Sequence, residues 1–568
     1  MNKQFLSLGL KPFGAVPSER QLAHLRFYNQ KAFFHFGVNT FTNLEWGDGV
    51  ERESVFDPTE PDVRQWIKTV KAAGFTLAIL TAKHHDGFCL WPSAYTEHSV
   101  KNSPYKDGKG DIVREFTDAC REFDVRAGLY LSPWDRNAPF WGTDAYSVYY
   151  NAQLTELLTN YGRIDEVWWD GAGSQETPYD WGMWAHTVRN LQPEAVIFGS
   201  MGATPYVECR WVGNERGYAA DPHYATVNHH SLAVEDTTEL NKGVWGGERF
   251  IPAEVDVSIR PGWFYHKDQD DKVKSAEKIV DIWFDSVGKG AMMLLNFPPD
   301  RRGLIHETDA RNAILANRVI KQTFAVNLAE GARAHSDSVR ACCCEPDCML
   351  NRAYDSVYAA SDDNITPTVE IKLPAPETFD VLKIGEYIEL GYRVCGFRLE
   401  AFIDDNWKQL LDKQSIGYQS AWKFAPVTTD RVRLVIYDAA AAPVIREFGL
   451  YKLPADYVDE KMALEQTLSD AFDYAKGESA QIVYGEDGAT VMLGGLYPFN
   501  TVCFNGTDIK RYELLVFNGS SYDSVYKGNS PDKRQIIRLP QDIDSAYQLK
   551  LVTGRPETEA LGIEVYKL

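Results

Sequence analysis

The feature that most constrains the fold is an alternation that runs from residue 1 to about residue 325. Short apolar runs, such as residues 75–82 (FTLAILTA) and 125–131 (VRAGLYL), are separated by segments with helical periodicity, such as residues 61–74. Apolar runs of this length are typical of parallel strands that are buried on both faces. The alternation therefore favours a parallel sheet covered by helices.

Eight such strands are predicted, at residues 32–36, 75–82, 125–131, 167–169, 195–198, 208–212, 251–257 and 291–295. The predicted helices cover residues 61–74, 111–123, 146–161, 181–191, 272–287 and 307–323. This count predicts a (β/α)8 barrel, irregular where the helix between strands five and six is missing or very short. The alternative, an open doubly wound sheet, requires a glycine-rich phosphate loop after strand one, where the sequence has Gly37-Val38-Asn39-Thr40-Phe41 instead.

After Ala325 the helical periodicity gives way to short alternating strands. Residues 431–436 and 448–453 are echoed by residues 547–552 and 563–568, and residues 397–402 are echoed by residues 512–517. A repeat of this kind indicates two copies of one β-sandwich domain. The predicted multidomain architecture is a barrel at residues 1–330, a sandwich at 331–453 and a second sandwich of the same type at 454–568.

Composition narrows the class of partner. The 568 residues carry 59 basic and 80 acidic side chains, a net charge of −21, which argues against nucleic acids and anionic membranes and suits a neutral substrate. No run of 18 apolar residues is present, so no membrane span is predicted. Residues 5–10 are too short for a signal-peptide core, so the protein is expected to be cytoplasmic, or secreted or periplasmic if a leader has been removed. Nothing in the sequence indicates the oligomeric state.

One cysteine cluster is present, formed by Cys342, Cys343, Cys344 and Cys348. A zinc site requires spaced pairs of ligands, and His335 nearby does not complete a standard pattern. Free thiols in a reducing compartment are therefore favoured over zinc.

Polar and aromatic side chains concentrate where the predicted strands end. They are His35, Glu45 and Trp46 after strand one, His84, His85 and Asp86 after strand two, Tyr130 and Trp134 at strand three, Asp170 after strand four, Asn214 and Glu215 after strand six, and Asn296 after strand eight. The active site of such a barrel forms at the carboxyl ends of its strands. The sequence therefore predicts that these side chains converge on one site.

Asp170 is the central candidate, because it ends a buried strand directly after Trp168 and Trp169. Burial of a carboxyl shifts its pKa, which is a way of tuning an acid for chemistry; the alternative is an Asp that caps the next helix. Glu215, bracketed by Gly213 and Gly217, is the second candidate carboxylate. Two carboxylates on different strands, with His and Trp between them, are the arrangement of glycoside hydrolysis.

These candidates also have purely structural interpretations. His84 and His85 are adjacent, and because successive strand residues point to opposite faces, hydrogen bonding to hydroxyl groups is favoured over chelation of a metal. Glu215 could form a surface ion pair with Arg216. Four tryptophans could fill the barrel core, namely Trp46, Trp134, Trp168 and Trp211.

Five motifs occur together, at residues 35–41 (HFGVNTF), 82–88 (AKHHDGF), 131–135 (LSPWD), 167–171 (VWWDG) and 294–298 (LLNFP). With these motifs, residues 13 to about 325 resemble the α-L-fucosidases of glycoside hydrolase family 29. Asn39-Thr40 and Gly213-Asn214-Glu215 are similar to the subfamily that acts on α-1,3- and α-1,4-linked branched fucosides.

The resemblance implies a retaining exo-α-L-fucosidase acting on fucosylated oligosaccharides or glycoconjugates, without metal or cofactor. It implies Asp170 as nucleophile and Glu215 as general acid/base, with rival acids at Glu208, Glu248, Glu254 and Asp256. The side chains expected to bind the substrate are His35, Glu45, Trp46, His84, His85, Tyr130, Trp134, Trp168 and Trp211. Two alternatives stay open, namely a catalytically inactive fucose- or galactose-binding protein and a metal-dependent hydrolase built on His84, His85 and Asp170.

The first sandwich has a resemblance of its own. Residues 335–453, through residues 386–393 (EYIELGYR) and Trp407, resemble discoidin-like domains of carbohydrate-binding module family 32. In similar fucosidases this domain packs on the barrel, so it is expected to be structural or to lend a loop to the site. The last domain has no counterpart of that loop, which weakens the expectation that it binds sugar.

Overall fold

The structure is a computed structural model that describes residues 8–173, 176–199, 201–351, 353–455, 457, 473–476, 480–505, 509, 511–517, 521–528, 534–557 and 561–567. Residues 5–7 of the N-terminal apolar run and Leu568 of the predicted repeat lie outside these ranges. The chain divides into two compact units, residues 1–457 and 458–568. The finer boundaries inferred from the sequence stay predictions.

Eight parallel strands form the first sheet: β1 (Gln30–Phe34), β2 (Leu77–Lys83), β3 (Arg126–Leu131), β4 (Glu166–Trp168), β5 (Val196–Phe198), β6 (Arg210–Trp211), β7 (Ala253–Ser258) and β8 (Met292–Asn296). Their order is β5-β4-β3-β2-β1-β8-β7-β6, so the two edges belong to consecutive strands. A parallel bridge between Phe198 and Cys209 joins those edges, which confirms the predicted barrel.

The helices of this region are α1 (Glu19–Phe27), α2 (Val38–Thr42), α3 (Val63–Ala72), α4 (Ile112–Glu122), α5 (Asp144–Asn160), α6 (Trp181–Leu191), α7 (His229–Ala233), α8 (Thr237–Lys242), α9 (Ala276–Asp285) and α10 (Glu307–Thr323). Six of them begin after a side chain that accepts a hydrogen bond from the backbone N–H three residues later, which satisfies a group the helix leaves unpaired; the capping residues are Ser18, Asp62, Asp111, Asp180, Asp236 and Ser275. Between β5 and β6 the described residues contain only the 3-10 helix Met201–Tyr206. The predicted irregularity lies at this place.

Alternation along β1 shows how the sequence separates the inside of the barrel from the outside. Phe34 packs with Trp66 of α3 and Phe116 of α4, between the strands and the helices. Phe33 points the other way and packs against Tyr130 and Trp168 inside the barrel. Successive strand residues face opposite sides, so one β-strand supplies both hydrophobic layers.

A buried cation occupies the barrel interior below this aromatic layer. Lys31 of β1 donates to Glu166 Oε2 of β4 at 2.6 Å and to Glu254 Oε2 of β7. Burial lowers the pKa of Lys31, but the charges of Glu166 and Glu254 outweigh burial and raise that pKa above its usual value. Glu254 Oε1 also accepts a hydrogen bond from Trp168 Nε1 at 2.9 Å.

Beyond the barrel, the rest of the first unit forms an antiparallel sandwich of β9 (Arg333–Ser336), β10 (Tyr358–Ala359), β11 (Thr368–Glu386), β12 (Val394–Ile403), β13 (Asn406–Lys413), β14 (Ser420–Ala439) and β15 (Val444–Tyr451). The long strands β11 and β14 pair with each other on both sides of two register shifts. Strand β9 pairs with the first half of β11 and β15 with its second half. Because of these irregularities, the long strands belong to both layers.

The second unit contains β16 (Gln481–Gly485), β17 (Gly488–Asn505), β18 (Tyr512–Phe517), β19 (Tyr522–Gly528), β20 (Arg534–Val552) and β21 (Gly562–Tyr566). Its pairings are β16·β17, β17·β20, β17·β21, β18·β19 and β18·β20. The first sandwich pairs β9·β11, β11·β14, β11·β15, β12·β13 and β12·β14 in the same pattern. The echoed sequences lie on equivalent strands of the two patterns.

The first sandwich braces a long insert of the barrel, residues 218–247. Tyr392 Oη accepts a hydrogen bond from Ala225 N at 2.8 Å, and Lys413 forms an ion pair with Asp221. From the other side, fully buried Arg210 of β6 donates to Tyr224 O at 2.9 Å and to Leu240 O at 3.1 Å. The insert is thus held between β6 and the sandwich.

Two further observations concern the cysteines and the lengths of the helices. All nine cysteines are free of disulfides, and Cys343 Sγ lies 3.9 Å from Cys344 Sγ. No helix among the residues that the structure describes is long and apolar enough to cross a membrane.

Replacing Lys31 with Met leaves Glu166 and Glu254 facing each other without a cation. Removal of one partner from a buried ion pair costs about 3–5 kcal/mol, so we expect K31M to unfold at clearly lower urea concentration, followed by tryptophan fluorescence. The control is Arg64→Met, which removes an exposed pair with Glu122 and should cost less than about 1 kcal/mol. Equal stability of K31M and the wild type would contradict the role given to Lys31.

Candidate active site

A cavity of about 250 Å³ opens at the carboxyl ends of the barrel strands. Its lining is formed by Phe33, His35, Glu45, Trp46, His84, His85, Tyr130, Trp168, Asp170, Gly171, Ala172, Phe198, Trp211, Glu215, Glu235, Asp256 and Trp263. Ten of the eleven site residues expected from the sequence are in this lining. The eleventh, Trp134, lies behind it, with its ring centroid 4.9 Å from that of His85 and 5.3 Å from that of Trp46.

Asp170 is held by hydrogen bonds to both carboxyl oxygens. Tyr130 Oη donates to Oδ2 at 2.9 Å, and the backbone N–H of Ala172 donates to Oδ1 at 2.8 Å. His85 Nε2 lies 3.7 Å from Oδ2. The alternative that Asp170 caps a helix is wrong, because α6 begins later and is capped by Asp180. The carboxylate is therefore oriented toward the cavity.

Two imidazoles are held in one tautomer by their partners. Asn296 donates through Nδ2 to Ser258 Oγ and to Trp263 O, so its Oδ1 accepts from His35 Nδ1–H at 2.9 Å. Ser132 Oγ donates to a backbone carbonyl, so it accepts from His85 Nδ1–H at 2.8 Å. The Nε2 atoms of both rings are then left as acceptors, suited to the O–H groups of a sugar.

Burial keeps these rings neutral. Burial first, and also repulsion from His85, lowers the pKa of His35 to about 4, although Asn296 and Asp170 act in the opposite direction. Burial also lowers the pKa of His84 well below its usual value, assisted by His85 and His35. A cluster of neutral imidazoles can accept hydrogen bonds that imidazolium ions would refuse.

His84 and His85 do not point to opposite faces, and that expectation from strand alternation is wrong. Strand β2 ends at Lys83, so the two histidines lie in the following turn and escape the alternation of a strand. Their ring centroids are 4.1 Å apart, and both rings line the cavity.

Glu215 lies at the solvent-accessible mouth of the cavity, on the loop after β6. The loop depends on Gly213, whose φ of +83° favours glycine and whose added Cβ would lie 2.6 Å from Thr237 O. Trp263 Nε1 donates to Glu215 Oε2 at 3.3 Å. The side chain therefore faces the cavity, in place of the expected alternative, an ion pair with Arg216.

Crowding around Glu215 has a chemical consequence. Partial burial raises the pKa of Glu215, the charges of Asp170 and Glu45 raise it further, and the Trp263 hydrogen bond opposes them. A carboxyl placed in this way is biased toward its protonated form, which is the form a general acid needs.

Two of the rival acids lie away from the cavity. Glu208 was predicted to begin strand six, but β6 begins two residues later, and Glu208 forms ion pairs with Arg20 and Arg189. Glu248 is exposed and accepts a hydrogen bond from His229 N. Neither is placed to protonate a ligand in the cavity.

The other two rivals are buried on β7. Glu254 is bound to Lys31 and Trp168 beneath the cavity. Asp256 is 4 % exposed and lines the cavity itself. Asp256 thus lies close to the proposed chemistry, whereas Glu254 supports the residues above it.

Sequence reasoning missed Trp263, which connects two loops. Its backbone N–H donates to Glu45 Oε2 at 2.8 Å, while its indole N–H reaches Glu215 and its ring lies 5.1 Å from that of His35. Glu45, expected to bind substrate, therefore also ties the loop after β1 to the loop after β7. The available signal was Pro261-Gly262-Trp263, a turn just after strand seven.

One group of side chains has the spacing of a metal site. Atoms of Glu166, Cys209 and Glu254 lie within 4.8 Å of one another, all buried. The Lys31 ammonium already binds both carboxyls there. Burial and the charge of Glu254 raise the pKa of Cys209, which keeps the thiol protonated and a poor ligand. The residues present therefore suit Lys31 better than a metal.

Comparison with known proteins agrees with this geometry. A sequence profile of the family described as α-L-fucosidase matches residues 19–315. α-L-Fucosidase 1 of Arabidopsis thaliana is 38% identical over 452 residues, which cover 78% of this chain and 88% of the plant protein. The chain belongs to the α-L-fucosidase family. This fucosidase is accordingly a glycoside hydrolase, which favours hydrolysis over the alternative of an inactive sugar-binding protein.

Two solved structures resemble the fucosidase closely. A glycoside hydrolase 29 family member from an unknown rumen bacterium is 32% identical, with a TM-score of 0.72, and the match covers 98% of this chain and 100% of that one. A GH29 fucosidase from Ruminococcus gnavus in complex with fucose is 31% identical, with a TM-score of 0.72 over 78% of this chain and 97% of that one. The likeness to discoidin-like carbohydrate-binding modules stays a prediction.

The lowered pKa of His35 should be visible in the stability of the fucosidase. The folded pKa of about 4 lies below the ordinary value of 6.5, so the unfolded chain binds more protons between these values. Stability therefore falls as the pH falls from 6.5 to 4, by about 3 kcal/mol for this group. We expect urea unfolding of His35→Asn, which keeps a donor toward Asn296, to show a shallower decline.

The control for this experiment is His186→Asn, at an exposed position of α6, which should follow the wild type. A decline in His35→Asn as steep as that of the wild type would show that His35 does not resist protonation in the folded state.

Proposed function

We propose that this fucosidase is a retaining exo-α-L-fucosidase with Asp170 as nucleophile and Glu215 as general acid/base. The observation that carries the proposal is the pair of carboxyls on one cavity with different environments. Asp170 is oriented by two hydrogen bonds inside the cavity, whereas Glu215 at the mouth has a raised pKa. Retaining glycosidases use such a pair for nucleophile and acid.

The cavity suits fucose, which is a polar sugar with one methyl group. Neutral imidazoles of His35 and His85 offer Nε2 atoms to the sugar hydroxyls. Aromatic rings form the rest of the wall, with Trp168 stacked on Phe198 at a centroid distance of 3.8 Å. The structure of the Ruminococcus gnavus relative in complex with fucose supports this assignment.

The reaction then proceeds by two displacements. An Asp170 oxygen attacks C1 of fucose from the β face while the bond from C1 to the aglycone oxygen breaks and Glu215 gives its proton to that oxygen. Water next attacks C1 from the α face, Glu215 takes a proton from the water, and the ester bond to Asp170 breaks. Fucose leaves with its original α configuration.

The alternative of a metal-dependent hydrolase on His84, His85 and Asp170 requires a different arrangement of these side chains. In that mechanism ligand atoms of His84, His85 and Asp170 would have to converge on one ion, whereas among the described residues the group with that spacing is Glu166, Cys209 and Glu254. Full hydrolysis after prolonged treatment with EDTA would exclude this alternative.

We further propose that the preferred substrates are branched glycans in which fucose is linked α-1,3 or α-1,4 beside galactose, as in Lewis-type oligosaccharides. The support comes from the 218–247 insert, which is braced by Arg210 and Tyr392 and which brings Glu235 to the cavity lining. A fixed wall with a carboxylate beside the cavity can contact the hydroxyls of a bulky aglycone.

Substitution of Glu215 separates the acid from the nucleophile. Good leaving groups depart without a proton. The rate of oligosaccharide hydrolysis by Glu215→Ala should therefore fall by a factor of about 100 or more, whereas the first step with an activated aryl fucoside should slow far less. Azide should then rescue turnover and give α-fucosyl azide, because it attacks the covalent intermediate from the α face. Product configuration is read by NMR.

The matched control is Asp170→Ala, which cannot form the intermediate. Azide should here displace the activated aryl group directly and give β-fucosyl azide. Identical products from the two variants would refute the assignment of roles. So would an equal loss of activity on the oligosaccharide and on the aryl fucoside in Glu215→Ala without azide rescue.

The linkage preference can be tested on a panel of oligosaccharides. We expect kcat/KM for α-1,3- and α-1,4-branched substrates to exceed that for an α-1,2-linked fucosyl-galactose by at least about tenfold. Glu235→Ala should raise KM for the branched substrates and leave KM for the aryl fucoside unchanged. The KM values of Glu235→Gln should lie between those of Glu235→Ala and the wild type. Equal or faster release of fucose from the α-1,2 linkage would contradict the proposed linkage preference.

A further inference from the structure

Asp256 is a buried side chain of the cavity for which the mechanism above has no use. It lies on β7, is 4 % exposed and faces the cavity that also holds Asp170 and Glu215. Its Oδ1 atom is buried and has no hydrogen-bond partner among the described residues. A buried polar oxygen without a partner carries a cost, which a bound ligand can remove.

The hydrogen-bond donors around Asp256 are already engaged with carboxylates. Trp168 Nε1 donates to Glu254 at 2.9 Å, Trp263 Nε1 to Glu215 at 3.3 Å and Tyr130 Oη to Asp170 at 2.9 Å. His35 and His85 present their Nε2 atoms as acceptors. A hydroxyl group that donates to an imidazole still has lone pairs, and these require a donor from the protein.

The surroundings of Asp256 favour a carboxyl that keeps its proton. Burial first, then the charges of Glu215 and Glu254, raises the pKa of Asp256 well above its usual value, while a hydrogen bond from the Trp211 side chain acts in the opposite direction. Lys31, the buried cation of the barrel interior, is engaged by Glu254 and by Glu166. A neutral carboxylic acid is a hydrogen-bond donor.

We propose that Asp256 contacts the bound sugar as a neutral carboxylic acid, donating its O–H to an oxygen of the fucosyl group. This inference rests on the proposed function, because it takes the fucosyl residue to occupy the cavity between Asp170 and Glu215. Asp256 is in this view a binding residue that supplies a donor beside the acceptor Nε2 atoms of His35 and His85, and it takes no part in proton transfer.

The test compares Asp256→Asn with Asp256→Ala. The amide keeps the shape and an N–H donor but cannot ionise, so Asp256→Asn should retain kcat/KM within about fivefold and inhibition by free fucose should stay similar. Asp256→Ala should raise KM and the inhibition constant of fucose by about tenfold or more. As the pH rises, the wild type should lose activity through the ionisation of both Glu215 and Asp256, and Asp256→Asn through that of Glu215 alone.

Monodeoxy aryl fucosides identify the sugar oxygen involved. Removing the hydroxyl that Asp256 contacts should lower kcat/KM of the wild type. It should cause no further decrease in Asp256→Ala, as in a double-mutant cycle. The thermal midpoints of both variants are measured alongside, and Asp256→Asn with the deoxy series decides the matter if Asp256→Ala does not fold.

Three outcomes would overturn the inference. A decrease in kcat/KM of less than twofold in both variants would show that Asp256 does not contact the sugar. An equal loss of kcat/KM in Asp256→Asn and Asp256→Ala would show that an ionisable carboxyl is needed. Azide rescue of Asp256→Ala, with Glu215→Ala unrescued, would make Asp256 the acid/base; that result would overturn the Glu215 assignment as well, whereas the first two leave it standing.

Discussion

The contact of Lys31 with Glu166 and Glu254 connects the stability of the barrel to its chemistry. It joins β1, β4 and β7 across the interior. Glu254 uses its other oxygen to hold the indole of Trp168, and Asp170 follows two residues later in the chain. A cation at the centre of the barrel therefore determines where the floor of the cavity lies.

Above this floor, the cavity is organised by hydrogen bonds that fix tautomers and positions, while burial keeps the imidazoles neutral. Asn296 and Ser132 accept from the Nδ1 atoms of His35 and His85, so that Nε2 of each neutral ring is available. Trp263 connects Glu45 with Glu215. The loops after β1, β6 and β7 are consequently connected to one another, which favours preorganisation of the two proposed catalytic carboxyls.

Much of this could be predicted from the chain. The barrel was evident because buried parallel strands and amphipathic helices differ in period, and the expected site residues lay at or after strand ends. The errors arose where position along a strand decided the outcome. Glu208 lies just before a shortened β6 and pairs outward with Arg20 and Arg189. His84 lies just after β2, where the alternation no longer holds. Trp263 sits in a turn, and turns have no periodicity from which its direction could be inferred.

Residue types and their order determined the class of chemistry by themselves, because carboxylates, imidazoles and indoles placed after strands must meet at one end of a barrel. Tertiary structure alone decided the charge and orientation of each group. The raised pKa values of Glu215 and Asp256, the tautomer of His35 and the bracing of residues 218–247 by Arg210 and Tyr392 all depend on neighbours distant in sequence. Burial and Coulomb interactions act through space, and the linear chain does not reveal which groups become neighbours.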